Sequence, residues 1–174
     1  MSSILKVDQL QDSGGNALIT SDGSGNLTAS AVTNTPAFRA TVNADQTVAD
    51  STWTKINFDV IDYDTHSAYS TANKRFTVPT GHGGKYLFTA GANFYLDDTR
   101  RIGIRLYVNG AQRQHGRTDF ESASANSFMC ATSTFIVELS VGDYVEAYTI
   151  QANGNSRGLN KAYNEFTGQK LIGV

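Results

Sequence analysis

An all-β sandwich is predicted for this chain by three observations. Apolar and polar residues alternate with period two over several runs, most cleanly from Arg101 to Asn109. The runs are broken by Gly, Asn, Ser and Asp clusters of the kind that form tight turns. Aromatics make up 10% of the 174 residues, and all but one are Tyr or Phe, which suit half-buried strands. That length allows one domain with a full core and a short appendage.

The segment before Pro36 has no aromatic residue. It carries two similar polar turns, Asp12-Ser-Gly-Gly-Asn16 and Asp22-Gly-Ser-Gly-Asn26, each leading into aliphatics. Residues 1–35 therefore read either as a flexible linker or as a β-rich stem that orders in an assembly. Leu5, Val7, Leu10, Leu18, Ile19 and Leu27 speak for the stem. From Pro36 to Val174 the strands follow in order. Residues 36–42 form the first, and residues 53–63 a second with Ile56, Phe58 and Val60 on one face. Residues 75–78 form a third, stopped by Pro79. Residues 84–96 turn Tyr86, Phe88, Ala90, Ala92, Phe94 and Leu96 inward. Residues 101–109 turn Ile102, Ile104, Leu106 and Val108 inward. Asn109-Gly110 marks a tight turn. Residues 128–139, 143–151 and 165–174 complete the set, with a turn at Gly142-Asp143.

The order Phe58, Asp64, Tyr69, Phe76, a Pro-Gly turn and Gly84-x-Tyr86-x-Phe88 resembles the complement C1q-like domain. So do Leu106-Tyr-Val-Asn-Gly110, Ser133-Thr-Phe-Ile-Val-Glu-Leu139, Gly142-Asp-Tyr-Val145 and the ending Phe166-Thr-Gly168-x-x-Leu-Ile-Gly173. The resemblance implies a jelly-roll of the tumour necrosis factor type that forms a homotrimer and binds rather than catalyses. Some relatives hold calcium near the three-fold axis. Glu121 matches one of their acids, but the second position falls on Met129, and a hard cation wants several oxygens. No cofactor is therefore expected. The opening LKVDQLQDSGGNALITSDGSGNL resembles the start of bacteriophage tail-fibre proteins. That implies a virion protein, made in the host cytoplasm and joined to other virion proteins through its N-terminal segment.

The formal net charge of −2 argues against nucleic acid and against an anionic membrane surface as partners. No apolar run is long enough to span a membrane as a helix, so membrane insertion is not expected. Nor does MSSILKVDQLQDS read as a signal peptide. His66, His82 and His115 are far apart in sequence and read as solvated loop residues. Asp59, Asp62 and Asp64 read as turn and edge residues, and Cys130 as a small core residue. No nucleophile–base or metal-ligand spacing is present, so no enzyme is predicted.

Recognition is assigned to loops expected to gather at one end of the head, at 43–52, 79–84, 111–127 and 152–164. The receptor-contact candidates on them are His82, His115, Arg117, Asp119, Glu121, Arg157, Lys161 and Tyr163. Tyr144 and Tyr148, on the non-core face of their strand, are candidates for the three-fold interface. The expected function is a phage fibre or appendage whose trimeric head binds a host-surface glycan or protein. The alternatives are a capsid-decoration or tail-assembly component without a receptor, and a secreted adhesion module.

Overall fold

The computed structural model describes residues 7–29, 34–96, 101–121 and 127–172; the side chains of residues 96, 114–121 and 127 lie outside that description. The described residues contain strands and turns and no helix. The chain divides into two compact units, Met1–Asn34 and Thr35–Ile172.

In the first unit, β1 (Gln9–Gln11), β2 (Ala17–Ser21) and β3 (Leu27–Thr28) form an antiparallel three-stranded sheet. Its two turns are built alike. Asp12 Oδ1 accepts from the Gly14 and Asn16 amides at 2.8 and 2.9 Å, and the Asn16 side chain donates to Oδ2 at 2.9 Å. Asp22 repeats the arrangement with Ser24 and Asn26. Val7, Leu10, Leu18, Ile19 and Leu27 are all exposed.

The second unit contains β4 (Ala37–Thr41), β5 (Gln46–Val48), β6 (Thr54–Lys55), β7 (Val60–Asp64), β8 (Tyr69–Ser70), β9 (Arg75–Thr77), β10 (Gly84–Leu96), β11 (Arg101–Val108), β12 (Ala111–Glu121), β13 (Ser127–Leu139), β14 (Tyr144–Ala152), β15 (Arg157–Leu159) and β16 (Glu165–Lys170). They make a jelly-roll sandwich. The first sheet runs β13-β10-β16-β4-β7, and β15 and β5 extend it beside the end of β10. The second runs β12-β11-β14-β9-β8, with β6 also on β14.

The core between the sheets is aromatic. Phe38 stacks on Tyr69 and Phe76 with ring centres 4.9 and 5.1 Å apart and meets Phe166 edge-on at 5.0 Å. Tyr86, Phe88, Phe94, Ile102, Ile104 and Leu106 are fully buried around them. Each such side chain contributes about 1.5–3 kcal/mol of transfer free energy. Asn109 and Gly110 both hold the positive φ values, 53° and 73°, of a two-residue hairpin turn.

Three expectations are corrected. Residues 53–63 are not one strand: β6 pairs with β14 in one sheet and β7 with β4 in the other. The chain crosses the sandwich between them, so Ile56 and Phe58 are buried while Val60 is exposed. Residues 111–121 are not loop but strand, paired along β11. Cys130 is exposed rather than in the core. Its register partner is Asn93, whereas Met129 lies opposite core-facing Phe94 and is buried. The three aspartates do serve turns and edges. Asp64 accepts from the His66, Ala68 and Tyr69 amides, Asp59 from the Asn43 amide, and Asp62 pairs with Arg39.

Gly168 marks the tightest packing. A Cβ there would lie 2.5 Å from carbons of both the Phe38 and Phe88 rings. Gly168→Ala is expected to destabilise the head by at least about 2 kcal/mol, read as a large fall in denaturation midpoint with an unchanged slope. A second expectation concerns acid. The hydrogen bonds from Asn16 and Asn26 hold the Asp12 and Asp22 carboxyls below their usual range. Their contribution to the first unit is therefore fully present above the unfolded-state value of about 4 and is lost as pH falls through the lower folded values. Amide exchange at Asn16 and Asn26, corrected for intrinsic rate, should lose protection on acidification in that window, and no loss would count against the clasp.

Candidate functional site

Strand pairing sorts the connections of the head into two ends. At one end Gly84 lies opposite Leu139, and the Lys170 amide donates to the Pro36 carbonyl. The 79–83 turn and the Asn109-Gly110 turn belong to this end. At the other end Phe94 lies opposite Leu159, Glu165 opposite Thr41, and the Asn160 amide donates to Asn93.

The loop residues proposed from sequence therefore do not share one end. Lys161 and Tyr163 lie on the 160–164 loop, and Arg157 starts β15 at the same end. His82 is at the opposite end, its ring 4.4 Å from that of His66. Burial, with His66 and Lys170 nearby, pushes the His82 imidazole below its usual range. His115, Arg117, Asp119 and Glu121 fall within β12, where Arg117, Asp119 and Glu121 pair with Arg105, Gly103 and Arg101. Their side chains lie outside the described ones.

The 160–164 end carries an open cleft of about 500 Å³, lined by Arg39, Thr41, Val42, Lys161, Tyr163, Asn164 and Glu165. Its loop is held from below. The buried Asn164 side chain accepts from the Asn93 amide at 2.6 Å and donates to the Asn160 carbonyl. The Lys161 amide donates to Asp45 Oδ1 at 2.7 Å. This bracing presents Tyr163 with 80% of its surface exposed and φ of 68°. A non-glycine residue in that left-handed region costs on the order of 1–3 kcal/mol, and such residues concentrate at ligand-contact sites. On the cleft floor, Arg39 Nε sits 3.1 Å from Glu165 and 3.3 Å from Asp62. An exposed aromatic ring beside Lys, Arg, Glu and Thr groups can stack on a sugar face and bond its hydroxyls. Of the cleft residues, Lys161 and Tyr163 were among the candidates proposed from sequence. Sequence reading missed Arg39 and Glu165, which sit on strands and come to the cleft only through the β4–β16 pairing.

Two outward faces differ in chemistry. On the second sheet Tyr148 packs on Tyr107 with ring centres 4.1 Å apart, and Arg75 lies 4.2 Å over the Tyr144 ring. Both candidate tyrosines are thus half-covered by their own chain. On the first sheet a row of Thr134, Thr89 and Thr167 runs across β13, β10 and β16. The Thr134 and Thr89 hydroxyls are 2.9 Å apart. Ile136 flanks this row, with Phe128 and Tyr95 toward the end of the strands, and Phe128 and Ile136 are 61% and 62% exposed. A shallow cavity of about 180 Å³ opens on this face between Tyr63, Leu87, Thr89 and Gln169.

The architecture is that of a C1q and tumour necrosis factor type jelly-roll. Residues 37–171 match the C1q domain, and the chain belongs to that family. Similar solved structures include the globular domain of zebrafish complement 1qA protein, with a TM-score of 0.57 and 18% identity over 80% of this chain and 98% of that one. Murine APRIL at pH 5.0 gives 0.59 and 16%, over 78% and 98%. Eiger TNF from S. frugiperda gives 0.58 and 15%, over 79% and 93%. Two Bacillus subtilis (strain 168) proteins are similar in sequence. One is the uncharacterized protein YqcC, 31% identical over 121 residues, covering 66% of this chain and 32% of that protein. The other is the phage-like element PBSX protein XkdV, 32% identical over 102 residues, covering 54% and 14%. The chain thus spans about a third of the first and about a seventh of the second.

Proposed function

We propose that this chain is a virion fibre or appendage protein whose C1q-like head forms a homotrimer and binds a host-surface glycan or protein without covalent chemistry. The observation that carries the reading is the outward face of the first sheet. A threonine row there has exposed Ile136 on one side and the exposed Tyr95–Phe128 pair farther along the same strands, apolar groups that association of copies through this face would cover. Three copies closing through one face leave their loop ends side by side, with a Tyr163 cleft on each. Similarity to a phage-like element protein supports the virion setting. The exposed aliphatics of the first unit support its role in attachment to other virion proteins, because a three-stranded sheet without a buried face gains little alone.

Binding through three weak sites depends on avidity, which multiplies affinity by roughly 10²–10⁴ when all engage. The test is competition: purified protein is added to particles carrying it, and adsorption to host cells is measured. The expected result is that the wild-type protein blocks adsorption. The Lys161→Ala/Tyr163→Gly variant should block at least about tenfold less, with its melting temperature and assembled mass unchanged. Glycine suits the φ of 68° at position 163, so the fold tolerates this change. Failure of the wild-type protein to compete, with particle yield lowered by the variant, would favour the structural component instead.

A further inference from the structure

The pair His66 and His82 is absorbed by neither the core nor the proposed receptor cleft. Both main chains are fixed. The His66 amide donates to Asp64 Oδ1 at 3.2 Å. The His82 amide donates to the Pro79 carbonyl at 3.1 Å, and the Tyr86 hydroxyl donates to the His82 carbonyl at 2.6 Å. Both rings are also tethered on one side. His66 Nδ1 lies 2.9 Å from Thr65 Oγ1, which in turn reaches the Ala37 carbonyl at 3.3 Å and accepts from the Ala37 amide at 3.0 Å. The His82 ring bonds to the Thr35 main chain. With the Thr65 hydroxyl hydrogen on Ala37, His66 Nδ1 donates and Nε2 keeps its lone pair. Each ring thus has one protein partner of the kind that orients metal-binding histidines.

The ring separation fits that role. A metal–nitrogen bond of about 2.1 Å places a ring centre ~3.2 Å from the ion, so two imidazoles at a right angle have centres ~4.5 Å apart and at a tetrahedral angle ~5.2 Å. The centres here are 4.4 Å apart with the ring planes inclined at 69°, which matches the separation of two imidazoles on adjacent coordination positions. Right-angled nitrogen pairs belong to tetragonal and octahedral ions of the Ni²⁺ and Cu²⁺ class. His66 is exposed and His82 half-buried, so solvent can supply the remaining ligands. The Asp64 carboxylate is taken up by three amides, and Lys170 lies near enough to oppose a cation.

We propose that His66 and His82 form a two-imidazole site for a divalent transition-metal ion, which clasps the start of β4, the turn after β7 and the turn before β10.

The test is titration of the full chain, free of any histidine tag, with Ni²⁺. Nickel is preferred because the exposed Cys130 thiol would capture or reduce copper. Calorimetry should find one Ni²⁺ per chain, and the melting temperature should rise with Ni²⁺ concentration. His66→Ala and His82→Ala should each weaken binding at least tenfold and abolish the melting response. His66→Asn and His82→Asn serve if either alanine variant folds poorly. Thr65→Val should weaken binding about tenfold through loss of the outer tether. His115→Ala and substitution of Ca²⁺ for Ni²⁺ separate this site from others: the first should bind as wild type and the second should give no response. The proposal is overturned if wild type shows no binding up to about 1 mM Ni²⁺. It is equally overturned if either single histidine variant binds as wild type, if His115→Ala loses binding, or if Ca²⁺ acts as Ni²⁺ does.

Discussion

The contact on which the head depends is that of the Phe38 and Phe88 rings with the bare backbone of Gly168. No side chain larger than hydrogen fits there, because a Cβ would lie 2.5 Å from both rings. The absence of that atom lets β4, β16 and β10 bring Phe38, Phe166 and Phe88 into one cluster, which Phe76 and Tyr69 complete from the second sheet. Interiors are packed like organic crystals, so a gap or clash at this point propagates across both sheets.

The same strands fix what the other face carries. Because side chains alternate, Phe88 and Phe166 facing inward leave Thr89 and Thr167 outward, while Leu87 and Tyr95 put apolar groups on the same outward face of β10. The result is a central strip of threonines with apolar groups to either side along the strands, the face proposed to meet a second and third copy. The cleft at the 160–164 end follows from the same pairing, since β4 and β16 bring Arg39 and Glu165 under Tyr163. Core, proposed interface and proposed binding cleft are consequences of one sheet.

Much of this was legible in the sequence. The strict alternation of β11 and the aromatic ladder of β10 fixed their inward faces, and Asn109-Gly110 fixed its turn. What alternation could not read was phase and sheet membership. In the first half of β13 the inward Met129, Ala131 and Ser133 are no more apolar than the outward Phe128 and Cys130, and only Phe135, Val137 and Leu139 farther along, with the pairing to β10, mark the phase. Residues 53–63 looked like one strand because Ile56, Phe58 and Val60 keep their spacing while the chain changes sheets. The polar run after Gly110 read as loop, although an edge strand needs only one paired neighbour. Parity placed Tyr144 and Tyr148 outward, but it says nothing about which outward face meets another copy. The His66–His82 contact joins turns 16 residues apart in sequence and required the fold to be seen.

The central claim is that three copies associate through the outward face of the first sheet. Cys130 lies on that face and is the only thiol in the chain, so its alkylation rate reports coverage directly. Sedimentation should give the mass of three chains for wild type, with Cys130 alkylated at least about tenfold more slowly than in an Ile136→Arg variant that sediments as one folded chain. A folded wild-type monomer, or a trimer whose Cys130 reacts as fast as in that variant, would contradict the account.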